Sequence, residues 1–178
     1  ITIFLTYVIT NGHNTSDLDY TSIIALILNG GTIKDLFGNN ATLTLPNPGA
    51  EGSLGTNKNI LIDNIGTLVT SVGSTTADGA YNAGDTVVVT VTFNENSIVT
   101  GTPQITLESG STDGTASYVS GSGSATLIFN YLIAASHNTS DLDYGSTSAL
   151  LLNSGTVKDA VGNNASLTLP TPGSSNSL

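Results

Sequence analysis

The octapeptide HNTSDLDY occurs twice in this chain, at His13–Tyr20 and at His137–Tyr144, and the offset of 124 residues holds without a gap over residues 1–54 and 125–178. LNGGTIKDLFGNNATLTLPNPG (Leu28–Gly49) faces LNSGTVKDAVGNNASLTLPTPG (Leu152–Gly173), and about 32 of the 54 aligned positions are identical. A period this long lies far above the roughly 20–50 residues of solenoid repeats and matches one whole domain, so the pattern is that of domains in tandem. The register leaves residues 55–124 without a counterpart ahead of Ile1, and GTNKNILID (Gly55–Asp63) without one after Leu178. The expected organisation is the C-terminal half of one repeat over 1–63, a linker over 64–66, and a second repeat lacking its last strand over 67–178. Ile1 and the absence of methionine read as a processed product or a piece of something longer.

Period-two alternation fills the second repeat. In DTVVVTVTF, Val87, Val89, Val91 and Phe93 share one face, and in SATLIFNYLIA so do Leu127, Phe129, Tyr131 and Ile133. Further strands are expected at Thr67–Val72, Pro103–Glu108, Thr115–Val119, Ala149–Leu152, Thr156–Lys158 and Ala165–Leu169, separated by NAGD, SGSTDG, SGSG and VGNN turns. No stretch has helical period. Seven or more short strands in one repeat predict an all-β fold, an antiparallel Ig-like β-sandwich in tandem copies with a period of 124 residues. The Cys-Trp-Cys pin of antibody domains is absent.

Composition narrows function by exclusion. Three lysines, no arginine and a formal charge of -10 leave no basic stripe for phosphates, so nucleic acid is excluded as a partner. The opening ITIFLTYVIT is too short to span a bilayer and lacks a basic leader, so no membrane insertion is expected. Without cysteine there is no disulfide, thiolate nucleophile or zinc-thiolate site.

The order ADGAYNAGDTVVVTVTFNENSIVTGTPQITLESG, ATLIFNYLIAASHNTSDLDY, LNSGTVKDAVGNNASLTLP and NKNILIDNIG resembles the bacterial Ig-like tandem repeats of very large secreted surface proteins, over essentially the whole chain. The "VTFNE" strand end, the "VKDAVGN" turn and the "ILID" strand before a linker carry the likeness jointly. It implies an extracellular place on the bacterial cell surface, a non-catalytic stalk or filament role, and partners that are copies of itself or adjacent repeats. The alternative is an S-layer or adhesin module that binds a surface ligand. Such repeats usually carry a Thr-Ala-Pro type linker after the Asp; here Asp63 is followed by Asn64, Ile65 and Gly66, and glycine frees the backbone where proline would fix φ.

Two histidines, His13 and His137, are one position in two copies, in a polar loop, which reads as repeat inheritance rather than as the base of a triad. No enzymatic activity is expected. Calcium is the cofactor the loops could take, since hard cations want several oxygens. Its expected ligands are Asp63 and Asn64 in the linker, the strand-end Glu95, and the turn residues Asp159 and Asp35, with Asp17, Asp19, Asp141 and Asp143 as further carboxylates. A strand-end Glu, a turn Asp and a linker Asp meeting at one pole would be similar to cadherin-type linkers. The same Asp and Asn residues also make Asx turns with no metal. Tyr20 and Tyr144 are expected to form tyrosine corners, each hydroxyl bonding backbone upstream. Residues 1–63 hold only late strands, so Ile1–Thr10 and Asn59–Asp63 are expected to pair with segments of another copy or chain.

Overall fold

The computed structural model describes residues 2–10 and 12–178; Ile1, the first position of one expected strand, lies outside them. The chain divides into two compact units, Ile1–Asn64 and Ile65–Leu178.

The second unit is all-β. Its strands are β1 (Val69–Ser74), β2 (Thr86–Thr100), β3 (Gln104–Leu107), β4 (Gly114–Ser120), β5 (Ser124–Leu132), β6 (Leu150–Leu151) and β7 (Thr156–Lys158). They join one antiparallel sheet in the order β1-β2-β5-β4-β3-β6, curled into a half-barrel, with β7 paired to the far end of β2. Because successive side chains point to opposite faces, the register Val87↔Tyr131, Val89↔Phe129 and Val91↔Leu127 sets six large side chains on one face. All six are buried, together with Phe93, and Ile133 packs against them half-buried. Val72, Ile105, Leu107, Ala116, Tyr144, Ala149, Leu150, Val157 and Leu169 complete this core.

Two expectations are corrected. VTFNE is not a strand end: β2 runs on to Thr100, and its register shifts between Thr92 and Ser97, so Glu95 lies inside a bulged bend. The bend lets the first half of β2 pair with β5 and the last three residues pair with β7. It is fastened by Leu68 N–H on Asn94 Oδ1 at 2.7 Å and by the buried Ser97 hydroxyl on Thr67 Oγ1. Ala165–Leu169 forms no strand either. It bonds in turn to Val157, Thr67 and Thr147, three different segments, and so never builds a ladder.

The first unit, among the described residues, has no strand longer than single bridges, Thr15↔Ile62 and Lys34↔Asn40. One helical turn, α1 (Leu54–Asn57), is capped by the Ser53 side chain accepting from Thr56 N–H. The expectation that Asn59–Asp63 pairs with another chain is corrected for one edge of that segment. Thr15 N–H donates to Ile62 O at 2.8 Å, Ile62 N–H to Thr15 O at 2.9 Å, and Leu18 N–H to Ile60 O at 2.8 Å, all within the unit. No helix among the described residues is long and apolar enough to cross a membrane.

Candidate functional site

The repeated octapeptide builds a clasp in each unit. In the second, Asp143 Oδ1 accepts the N–H of Tyr144 and Oδ2 that of Gly173, each at 2.8 Å, while the Tyr144 hydroxyl donates to the Pro170 carbonyl at 2.8 Å. Carboxylate and phenol thus hold the PTPG segment at two points. The first unit repeats this with Asp19, Tyr20, Gly49 and Pro46, at 2.9, 3.0 and 2.8 Å. The expected tyrosine corner is corrected in direction: each hydroxyl bonds backbone 26 residues downstream. Burial pushes the Tyr144 phenol up to about 12, helped by the negative charge of Asp143. Burial raises the Asp19 carboxyl, but N–H donors of Gly49 and Tyr20, the Ser53 side chain and the Gly55 N–H outweigh it, and the group sits below its ordinary value.

Beside each clasp stands a stacked ring pair. Tyr131 lies 5.5 Å from His137 with planes 19° apart, its hydroxyl 2.6 Å from Nδ1. Tyr7 and His13 repeat this at 5.4 Å and 21°, with 2.7 Å between hydroxyl and Nδ1. Ala134 N–H also reaches His137 Nδ1, at 3.1 Å, which makes that nitrogen an acceptor and leaves the proton on Nε2. Thr10 Oγ1 is 3.1 Å from His13 Nε2, but the second unit has Ala134 at that position, so the hydroxyl–imidazole contact is not a property of the repeat.

The turn aspartates close their own loops. Asp159 is buried, and its Oδ1 accepts from the N–H groups of Val161, Gly162 and Asn163 at 2.9, 2.7 and 2.8 Å, its Oδ2 from Asn163 Nδ2 at 2.7 Å. Burial raises this carboxyl, and the Asn163 side chain and the three N–H donors more than reverse it, so it lies below its ordinary value. Asp35 makes the same loop with Phe37 and Asn39, and the Asn39 side chain leads in lowering it. Both carboxylates thus close Asx-type loops, an arrangement that stands without a metal. Asp63 and Asn64 close the first unit, where Asn64 Nδ2 donates to Thr10 O at 3.1 Å, and Glu95 sits in the β2 bend of the second. Among the described residues no three His, Cys, Asp or Glu side chains gather into a metal-holding group.

What sequence reasoning missed is a strand dock. In the first unit the segment Thr15–Leu18 holds Ile60 and Ile62 through the three backbone bonds above, and Asp17 Oδ1 accepts Ile60 N–H at 3.2 Å. Ile62 is buried there and, with Tyr7, His13, Thr15, Asp17 and Leu18, lines a hollow of about 430 Å³. In the second unit the equivalent Tyr131, His137, Thr139, Asp141 and Leu142 line a larger cavity of about 730 Å³. The signal lay in the order of motifs, DLDY followed some 40 residues later by N-I-L-I-D, whose apolar alternation marks a strand with no stated mate. Set against family models, curated proteins and solved structures, the chain matches none of the three.

Proposed function

We propose that this chain is a non-catalytic structural repeat of a bacterial extracellular surface protein, building a stalk or filament from Ig-like β-sandwich domains in tandem or joined by strand exchange. One observation carries the reading: positions sealed in the second unit are open in the first. Leu127, Phe129 and Tyr131 are 0%, 0% and 2% exposed, whereas their counterparts Ile3, Leu5 and Tyr7 are 55%, 78% and 54% exposed. A face of that size left in water is a docking surface or an aggregation hazard, and in the second unit it is β1 to β4 that supply the cover. Strands of the same kind, from an adjacent repeat or another copy, are the cover expected for the first unit.

Repeated clasps and closed aspartate loops support a holding role, and no histidine ring among the described residues is hydrogen-bonded to a carboxylate that would orient it as a base. Calcium stays in the proposal as a ligand of the acidic loops; equal melting temperatures in millimolar calcium and in chelator would remove it. The main test is sedimentation velocity over a range of concentrations. Association that Leu5→Asp abolishes supports the reading, and a monodisperse monomer with the first unit protected from hydrogen exchange overturns it.

A further inference from the structure

We infer that Asn29 is a self-modifying site, at which the backbone nitrogen of Gly30 closes on the asparagine side chain and water opens the resulting ring to aspartate and isoaspartate. Asn29 and Gly30 form the tip of a two-residue turn, with φ of 46° and 85°, and Gly31 N–H donates to Leu28 O at 2.8 Å. Two consecutive left-handed residues make a type I′ turn, for which Asn-Gly is a favoured pair. The pair that suits the turn is also the pair that reacts. Glycine carries no Cβ beside its nitrogen, so nothing on Gly30 hinders the approach to Asn29 Cγ. Among the described residues the Gly30 N–H meets no backbone carbonyl, and a Cβ built on Gly30 would find nothing within 4 Å. The attacking nitrogen is untied and the ring has room to form.

Exposure of this tip is a property of the repeat and does not come from the open face of the first unit. The equivalent turn in the second unit, Asn153–Ser154, is exposed at both residues in a unit that keeps β1 to β5. Its frame is the same: Asn153 has φ of 46°, and Gly155 N–H donates to Leu152 O at 2.8 Å. What differs is the residue after the asparagine. Ser154 sets a Cβ beside the nitrogen that would attack, and sits at φ of 65°, where a side chain is strained. Asn153 Nδ2 also donates to the Thr102 carbonyl at 3.2 Å. Of two matching turns, only the first is built to react.

The step balances with water alone. The Gly30 nitrogen gives its proton to solvent and bonds to Asn29 Cγ; the Cγ–Nδ2 bond breaks, and Nδ2 takes up a proton and leaves as ammonia. Water then adds to one of the two ring carbonyls and breaks that carbon's bond to nitrogen. Opening at Cγ gives aspartate. Opening at the main-chain carbon gives isoaspartate, whose backbone runs through Cβ and Cγ and is one methylene longer. Either product adds one negative charge to a chain already at -10.

The test incubates the full chain at neutral pH and follows each asparagine by peptide mapping and mass spectrometry. Asn29 is expected to convert at least about tenfold faster than Asn153, with both isomers appearing, and Gly30→Ala is expected to slow it at least about tenfold. Ser154→Gly is the second variant. It relieves a strained backbone, so the fold is kept, and it should raise conversion of Asn153 at least about tenfold. Asn11–Gly12, whose asparagine lies outside the described residues, is mapped in the same digest. Asn29 converting no faster than Asn153, conversion confined to Asn11, or a rate indifferent to Gly30→Ala overturns the site. An Asn153 left inert by Ser154→Gly overturns glycine as what separates the two turns.

Discussion

Tyr144 donates its phenolic hydrogen to the carbonyl of Pro170, 26 residues ahead, across 2.8 Å, and is 1% exposed while doing so. This bond ties the loop before β6 to the segment that closes the core at Leu169. Its partner in the first unit, Tyr20 to Pro46, has the same length.

Tyr144→Phe removes the donor and leaves the Pro170 carbonyl to find another. The expected loss is about 1–3 kcal/mol in the free energy of unfolding of the second unit, read from urea denaturation at neutral pH. Burial of the same phenol, beside the charge of Asp143, sets an alkaline limit. Since the folded phenol is raised to about 12 and an unfolded one ionises near 10, stability is whole below about pH 10 and falls between about 10 and 12. Absorbance titration of the tyrosinates checks this: one of the six tyrosines should ionise last, and Tyr144→Phe should delete that step.

Asp159 gives the opposite pH dependence. Its carboxyl is lowered in the folded state, so its contribution is complete above the ordinary carboxylate value near 3.9 and is lost as pH falls through the lower folded one. Asp159→Ala removes the carboxylate that accepts from the Val161, Gly162 and Asn163 N–H groups and from the Asn163 amide. A loss of at least about 2 kcal/mol at pH 7 is expected, shrinking towards pH 2. Denaturant midpoints across that range, the same with and without chelator, would place the effect in the turn; an equal loss at every pH would refute the carboxylate account.

The strand faces were legible because burial of one face of a sheet enforces period two, and Val87 to Phe93 and Leu127 to Ile133 obey it. The continuation of β2 past Glu95 was not, since NENS carries turn-forming residues and only tertiary bonds to Leu68 and Thr67 show them to be a bend within a strand. Likewise an Asp-x-x-x-Asn spacing suits a cation or an Asx loop equally; the loop itself is seen only in the N–H groups that turn towards Asp159. The dock at Thr15–Leu18 was hidden because it rests on backbone groups, which every residue carries. The direction of the Tyr144 bond was hidden for the same reason, as any carbonyl within reach could serve.

Gly114 tests how rigidly the ring pair is held. A Cβ built at this position runs into the Tyr131 ring at Cε2, and would lie 2.9 Å from Cζ and 3.0 Å from Oη. Backbone freedom is not the reason for glycine here, because Gly114 is not among the residues with positive φ. Space is. An exposed aromatic ring would swing aside at little cost, but Tyr131 is 2% exposed, packs in the core opposite Val87, and is fixed at its far end by His137 Nδ1 at 2.6 Å. Gly114→Ala must therefore shift either β4 or the ring, and overpacking of this kind costs about 1–3 kcal/mol. In a Tyr131→Leu background the obstructing ring atoms are gone, so the same Gly114→Ala change should cost less than about 0.5 kcal/mol. The two substitutions touch one another and are expected to be strongly non-additive. A double-mutant cycle in urea measures the coupling, and equal costs of Gly114→Ala in both backgrounds would show that the ring is not what confines this position.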